Sequence, residues 1–172
     1  PDKKIIFLKE DNPIIIAGRL IQEDLLILHW DNNFQEHILE GGILCFPALW
    51  TLNEKINKPL SRIHKPVEQY NEKITKSVQR MFNNLKVDKP IWRANWYLYK
   101  DPELFSPLSE KFSHTTEKKY FEGDFWLRVE RQTLKRLPET NAIVFGIHTY
   151  VVNKKQLTLK QITSLKNYSL NK

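Results

Sequence analysis

The sequence predicts an α+β domain built on a five-stranded antiparallel sheet, with helices inserted between the second and third strands. Three observations lead there. Two strand-like runs, LLILHW (25–30) and HILEGGILCF (37–46), flank the polar turn Asp31-Asn32-Asn33, a hairpin pattern. Three later runs alternate with period two: Arg93, Asn95 and Tyr97 oppose Trp92, Ala94 and Trp96; Trp126, Arg128, Glu130 and Gln132 oppose Phe125, Leu127, Val129, Arg131 and Thr133; Gly146, His148 and Tyr150 oppose Ile143, Phe145 and Ile147. Between the two groups Val67, Tyr70, Ile74, Val78, Met81, Phe82 and Leu85 recur every three or four positions, the period of an amphipathic helix.

The elements follow in order. Residues 5–8 and 14–17 read as short edge strands around the turn Asp11-Asn12-Pro13. Gly41-Gly42 marks a bulge in the second strand of the hairpin. From Pro47 the texture becomes helical: Leu49, Leu52 and Ile56 share a face, and Thr51 with Glu54 forms a capping pattern, so a short helix ends near Asn57. Pro59 and Pro66 bracket a connector that carries His64 immediately ahead of the long helix, which stops before Asp88-Lys89-Pro90. Residues 100–119, with Pro102 and Pro107, form a long loop, and positions 159, 162 and 165 predict a final helix. Residues 1–20 are thus an N-terminal extension or edge strands, 21–152 the sheet domain, and 153–172 a C-terminal helix or tail. The order matches the PAS-like topology, in which helices close over one face of the sheet and leave a cup for a ligand.

Composition narrows the function classes. At 172 residues and 41% hydrophobic content the chain can bury one core. The longest apolar stretches, 14–17 and 25–28, are far too short to span a membrane, and a soluble protein is expected. The single cysteine, Cys45, rules out an internal disulfide framework and a cysteine-rich zinc site; it points to a reducing, cytoplasmic setting and reads as a buried, inert thiol. The net charge of +7 comes mostly from lysines scattered singly or in pairs, which reads as a solvated surface and not as a nucleic-acid site. Four of the seven arginines, Arg93, Arg128, Arg131 and Arg136, lie instead in the predicted strands. Their planar forks suit a fixed carboxylate or phosphate partner.

His64 is the leading candidate for a metal ligand. Its connector is stiffened by two prolines and flanked by Ile63 and Val67 as anchors. A fixed imidazole at the rim of an apolar cup can ligate haem iron from one side; the same residue could instead cap a helix end. His29 and His37 flank the hairpin and His114 lies in the long loop, with no pair at zinc-site spacing. His148 has Gly146 beside it on its face, which leaves room for a ligand carboxylate or for solvent. Glu130, between Arg128 and Gln132, is either a desolvated carboxylate inside the cup or part of an outer ion-pair ladder with Arg93 and His148. No phosphate-binding glycine loop or nucleophile elbow is present.

Five segments, IQEDLLIL (21–28), CFPALWTLNEKINKPLSRIHKPV (45–67), WRANW (92–96), RVERQTLKRLP (128–138) and FGIHTY (145–150), together resemble the haem-dependent oxidative N-demethylase family, in its order. The resemblance implies a PAS-like domain that binds b-type haem and uses O2 to remove a methyl group from a small alkylamine such as dimethylamine, releasing formaldehyde. Electrons would come from a flavin and iron–sulfur reductase partner. It also implies that His64, in RIHKPV, is the axial ligand; Arg93, Arg128 and Glu130 match the family as well, and our own division of roles assigns Arg93, Arg128 and His148 to the cofactor site and Glu130 and Gln132 to catalysis. The face carrying Arg93, Glu130 and His148 would then look into the cup. Three residues depart from the family pattern: Glu68-Gln69 stand where Pro-Gly is usual, and His148 stands where the family commonly has arginine, losing a bidentate fork. The competing class is a non-catalytic PAS-like module that binds a small ligand or a partner.

Overall fold

Five strands pair in the order 2-1-5-4-3, every neighbour antiparallel, in a computed structural model that describes residues 3–9, 12–65, 71–109 and 123–170. They are β1 (Asp24–Asp31), β2 (Glu36–Ile43), β3 (Ile91–Tyr99), β4 (Trp126–Arg136) and β5 (Ile143–Asn153). This is the PAS-like arrangement: the hairpin β1–β2 docks through β1 onto β5, so first and last strands meet in the middle of the sheet. Among the described residues, no helix is long and apolar enough to cross a membrane.

The turn after β1 forms because the Asp31 carboxylate accepts the N–H groups of Asn33 and Phe34, at 2.7 and 3.0 Å. The bulge in β2 falls one residue before the expected glycine pair. Ile27 faces Gly41 and Leu28 faces Leu39, so Glu40 is the extra residue.

Residues 14–17 are helical, contrary to the edge strand expected from their apolar run. They belong to α1 (Pro13–Leu20), which Pro13 starts at a position needing no N–H donor, while Asn12 accepts Ile14 N–H at 3.1 Å. Residues 5–8 form no strand either, and Ile5, Phe7 and Leu8 stay exposed. The short helix expected to end near Asn57 is the single turn α2 (Leu52–Lys55), stopped where Asn57, with a φ of 58°, cannot continue a right-handed helix; the connector beyond it forms a second single turn, α3 (Leu60–Ile63). Thr51 donates its hydroxyl to Glu54 at 2.7 Å and makes no side-chain cap to the backbone. The long helix α4 (Glu72–Asn84) begins at Asn71, which accepts Ile74 N–H; the predicted contributions of Val67 and Tyr70 lie outside the described residues. The last helix, α5 (Leu159–Leu170), follows a 3-10 turn capped by Asn153 and Gln156.

Helices lie against both faces. On the inner face, Leu26, Leu28, Leu39, Leu134, Ile143 and Ile147 pack with Leu60 of α3 and with Phe82 and Leu85 at the end of α4. Burying each such side chain contributes about 1.5–3 kcal/mol. On the outer face, Gly18 of α1 sits so close to Ile43 that a β-carbon there would lie 2.5 Å from its side chain, and Tyr168 of α5 packs on Trp96. The cover over one face expected from sequence is therefore joined by α1 and α5 on the other.

His37 joins hairpin to helix and is buried, although its place beside the turn marked it only as a flanking residue. Its Nδ1–H donates to Gln79 of α4 at 2.8 Å, and its ring sits edge-on between Trp30 and Phe82. Burial pushes its pKa down, and Arg136 and His29 act in the same direction. A histidine kept neutral by the fold stabilises it above the unfolded-state pKa of about 6.5, and that contribution is lost as pH falls from there through the folded-state pKa. The urea midpoint should therefore drop on acidification below about pH 6.5. His37→Asn, which keeps a donor toward Gln79, should show a shallower pH dependence in the same titration.

Candidate functional site

β4 carries Arg128, Glu130 and Gln132 on the inner face, beside the apolar half of that face defined by Leu134. Antiparallel register puts Arg93 opposite Gln132, Asn95 opposite Glu130 and Tyr97 opposite Arg128; on the other side, Glu130 faces Thr149. The charged row that alternation revealed is thus an interior feature.

Arg128 is 1% exposed and anchors the region. Its guanidinium donates to Phe46 O at 2.5 Å, Leu104 O at 3.2 Å, Thr149 Oγ1 at 3.4 Å and Glu130 Oε1 at 3.3 Å, and it lies over the Tyr99 ring at 5.8 Å. One side chain therefore ties β4 and β5 to the segment leaving β2 and to the loop after β3. Burial pushes the Tyr99 hydroxyl up to about 12, so that ring is neutral at physiological pH. With these partners the Arg128 guanidinium is held by the protein itself.

Glu130 is 7% exposed, with Arg128 on one oxygen and Gln132 Nε2 on the other at 3.3 Å. Gln132 in turn accepts from Arg93 Nε at 2.8 Å, which fixes the orientation of its amide. Arg93 is exposed, so the chain Arg128–Glu130–Gln132–Arg93 runs from the interior to an accessible rim. Asn95, half-buried, donates to the hydroxyl of the exposed Tyr97 at 2.7 Å on the same rim.

His64 is placed by α3 and not by the start of the long helix, which begins eight residues later. It is the C-cap of α3, and that single turn is fastened at both ends: Glu36 accepts Ser61 N–H at 2.9 Å, and the buried Lys55 ammonium donates to Ile63 O at 2.7 Å. His64 Nδ1 lies 2.9 Å from Leu60 O, which can only accept, so the proton is on Nδ1 and the lone pair on Nε2. Burial lowers the His64 pKa, and the charges of Lys55 and Arg93 lower it further. The imidazole is therefore neutral at pH 7, and it is near enough to Arg93 to feel its charge.

His148 is on the opposite face. It pairs in register with Arg131 and lies 3.7 Å from Glu23, which also bonds Arg131 at 3.1 Å. The Glu23 carboxylate fills the space left by Gly146, where a β-carbon would come within 2.6 Å of it. The expected grouping of His148 with Arg93 and Glu130 is corrected by the β4–β5 register, which brings Thr149 into line with Glu130. His114 lies outside the described residues.

Asp24, which the motif reading passed over, is the other carboxylate beside Arg128. It is 1% exposed and accepts Cys45 N–H and Phe46 N–H, at 2.6 and 2.8 Å, both on Oδ1. Its signal was parity: Asp24 shares a face with the core residues Leu26 and Leu28. The Cys45 thiol, only partly buried, is pushed up by that burial and by Asp24.

A PAS-like sheet whose inner face carries a buried, paired carboxylate, with His64 on the one-turn helix packed there, defines an α+β domain suited to ligand binding. More particularly, the chain belongs to the haem-dependent oxidative N-demethylase, alpha subunit-like family, whose profile matches residues 2–166. The family description implies haem, and the residues present fit one. His64 has the tautomer that ligation by Nε2 requires, with the second-shell hydrogen bond usual for metal-bound histidine, and Arg93 offers a rim cation to an acidic substituent. Among the described residues no three His, Cys, Asp or Glu side chains gather as an ion site.

The two arginines should separate in stability measurements. Arg128→Met removes a buried partner from Glu130, Phe46 and Leu104 and should cost about 3–5 kcal/mol by urea denaturation. Arg93→Met, at the exposed rim, should stay within about 0.5 kcal/mol of wild type.

Proposed function

We propose that the protein is a haem-dependent monooxygenase-type demethylase that removes a methyl group from a small alkylamine of the dimethylamine kind, with O2 as oxidant and a flavin and iron–sulfur reductase as electron donor. The observation that carries this reading is the presence on one sheet face of a neutral, ligand-competent His64 and a buried, oriented Glu130, within a member of this family. Haem, when bound, would supply the O2-dependent oxidation. His64 would hold it through Nε2, and Arg93 would pair with a propionate. The alpha subunit-like description agrees with a protein that works with partner subunits.

The chain's own contribution is to place the amine. A dialkylammonium ion carries a positive charge and two N–H donors on a small apolar body. Glu130 is the matching acceptor, because a carboxylate screened from water forms a strong charge-assisted hydrogen bond. Arg128 holds one of its oxygens and Gln132 the other, so the carboxylate cannot swing to follow the ligand. An anchor fixed in this way restricts where the methyl groups of a short amine can lie, and positioning of that kind supplies much of a rate enhancement.

Hemin added to the purified chain should give a histidine-ligated Soret band. His64→Ala should lose that signature, while an unchanged spectrum would move the ligand elsewhere. Glu130→Gln should bind hemin as wild type does yet fail to show the spectral shift that dimethylamine induces; retention of the shift would remove Glu130 from the amine site.

A further inference from the structure

Arg128 bonds one buried carboxylate and is linked to a second through Phe46. Glu130 bonds its Nε, and on its other side Arg128 reaches the carbonyl of Phe46, whose N–H binds Asp24. Asp24 uses Oδ1 for both of its hydrogen bonds, and Oδ2 has no hydrogen-bond partner among the described residues, although the side chain is 1% exposed. A buried carboxylate oxygen without a donor costs more when ionised than when it carries a proton.

The charge inventory points the same way. Tyr99, over Arg128, is neutral, and the Cys45 thiol is pushed up. Ionising Asp24 as well as Glu130 would leave one guanidinium to balance two carboxylates in a site closed to water. Burial raises Asp24, and the charge of Glu130 raises it further, against the opposing influence of its two backbone hydrogen bonds and of Arg128. With Asp24 protonated, the Arg128–Glu130 pair is neutral as a unit.

A cationic amine arriving at Glu130 upsets that balance by one positive charge. We propose that Asp24 stores one proton and releases it to solvent when a protonated alkylamine binds at Glu130, so that the buried unit is neutral before and after. The inference rests on the reading of Glu130 as the amine's partner. No bond other than the Asp24 O–H is broken: the amine enters as the ammonium ion, and one proton leaves. Asp24 is in this sense a positioning residue for charge, acting through Arg128.

One consequence is a pH dependence opposite to that of a simple cation site. Where Asp24 is protonated in the free protein and ionised in the complex, affinity for the ammonium ion should rise about tenfold per pH unit, because one proton is released per amine bound. Asp24→Asn should fold, since an amide oxygen can accept both backbone N–H groups that Oδ1 accepts now. It should bind the amine about tenfold more weakly or worse, with affinity independent of pH over that range.

The experiment is isothermal titration of the hemin-loaded full chain with dimethylammonium chloride, in two buffers of different ionisation enthalpy, for wild type, Asp24→Asn and Glu130→Gln. Binding with release of about one proton in wild type, lost in Asp24→Asn, is the expected result. Binding without proton release in wild type overturns the proposal and leaves the assignment of Glu130 intact. Absence of binding in wild type, or equal binding by Glu130→Gln, overturns the assignment of Glu130 and the proposal with it. Infrared difference spectra of the wild type, recorded on addition of the amine, give a check that needs no variant. A protonated carboxyl C=O band should disappear, and its persistence contradicts the inference.

Discussion

The burial of Arg128 is the constraint on which the polar half of this fold depends. A guanidinium at 1% exposure must have its donors met, and Arg128 meets them with Phe46 O, Leu104 O, Thr149 and Glu130. Each acceptor belongs to a different stretch of chain. The exit from β2, the loop after β3, strand β5 and strand β4 itself are therefore held at fixed separation by one planar group. Satisfying Arg128 also determines the shape of the site, because it fixes one oxygen of Glu130 and leaves Gln132 and Arg93 to extend the network to the rim.

The inner face is divided accordingly. Its apolar half packs α3 and α4 against β1, β2 and β5, and it is this packing, through Leu60, that seats the one-turn helix carrying His64. Four residues have too few hydrogen bonds to hold a helix alone. Glu36 and Lys55 supply the missing partners at its two ends, so the position of a ligand-competent imidazole depends on a carboxylate of β2 and a buried lysine of α2. Burial lowers the pKa of that imidazole, and the charges of Lys55 and Arg93 lower it further, so the surroundings favour the protonation state that metal ligation needs.

Much of this was legible in the sequence. Strict alternation located β3, β4 and β5, the Asp31 turn located the hairpin, and the order of strands with a helical insert led to a five-stranded PAS-like sheet, whose strands pair as 2-1-5-4-3. His64, Glu130, Gln132 and Arg93 were named from residues and motifs, and the fold brings them to one face. What alternation cannot supply is register between strands. A shift of one residue reverses every side chain, and the β4–β5 pairing aligns Glu130 with Thr149, which sends His148 to the outer face. Local propensity misled at 14–17, where an apolar run resembled a strand but Asn12 and Pro13 supplied a helix start. Asp24 lies within IQEDLLIL but was not singled out there; only its parity with Leu26 and Leu28 marked it as a charge on the core face.

The central claim is that His64 and Glu130 serve one site on the inner face, with His148 apart from it. A crystal structure of the full chain with hemin and dimethylamine bound tests it most directly. Iron on His64 Nε2, with the amine nitrogen in hydrogen-bond contact with Glu130, is the result predicted. Haem seated on the outer face beside His148, or an amine remote from Glu130, would contradict the account.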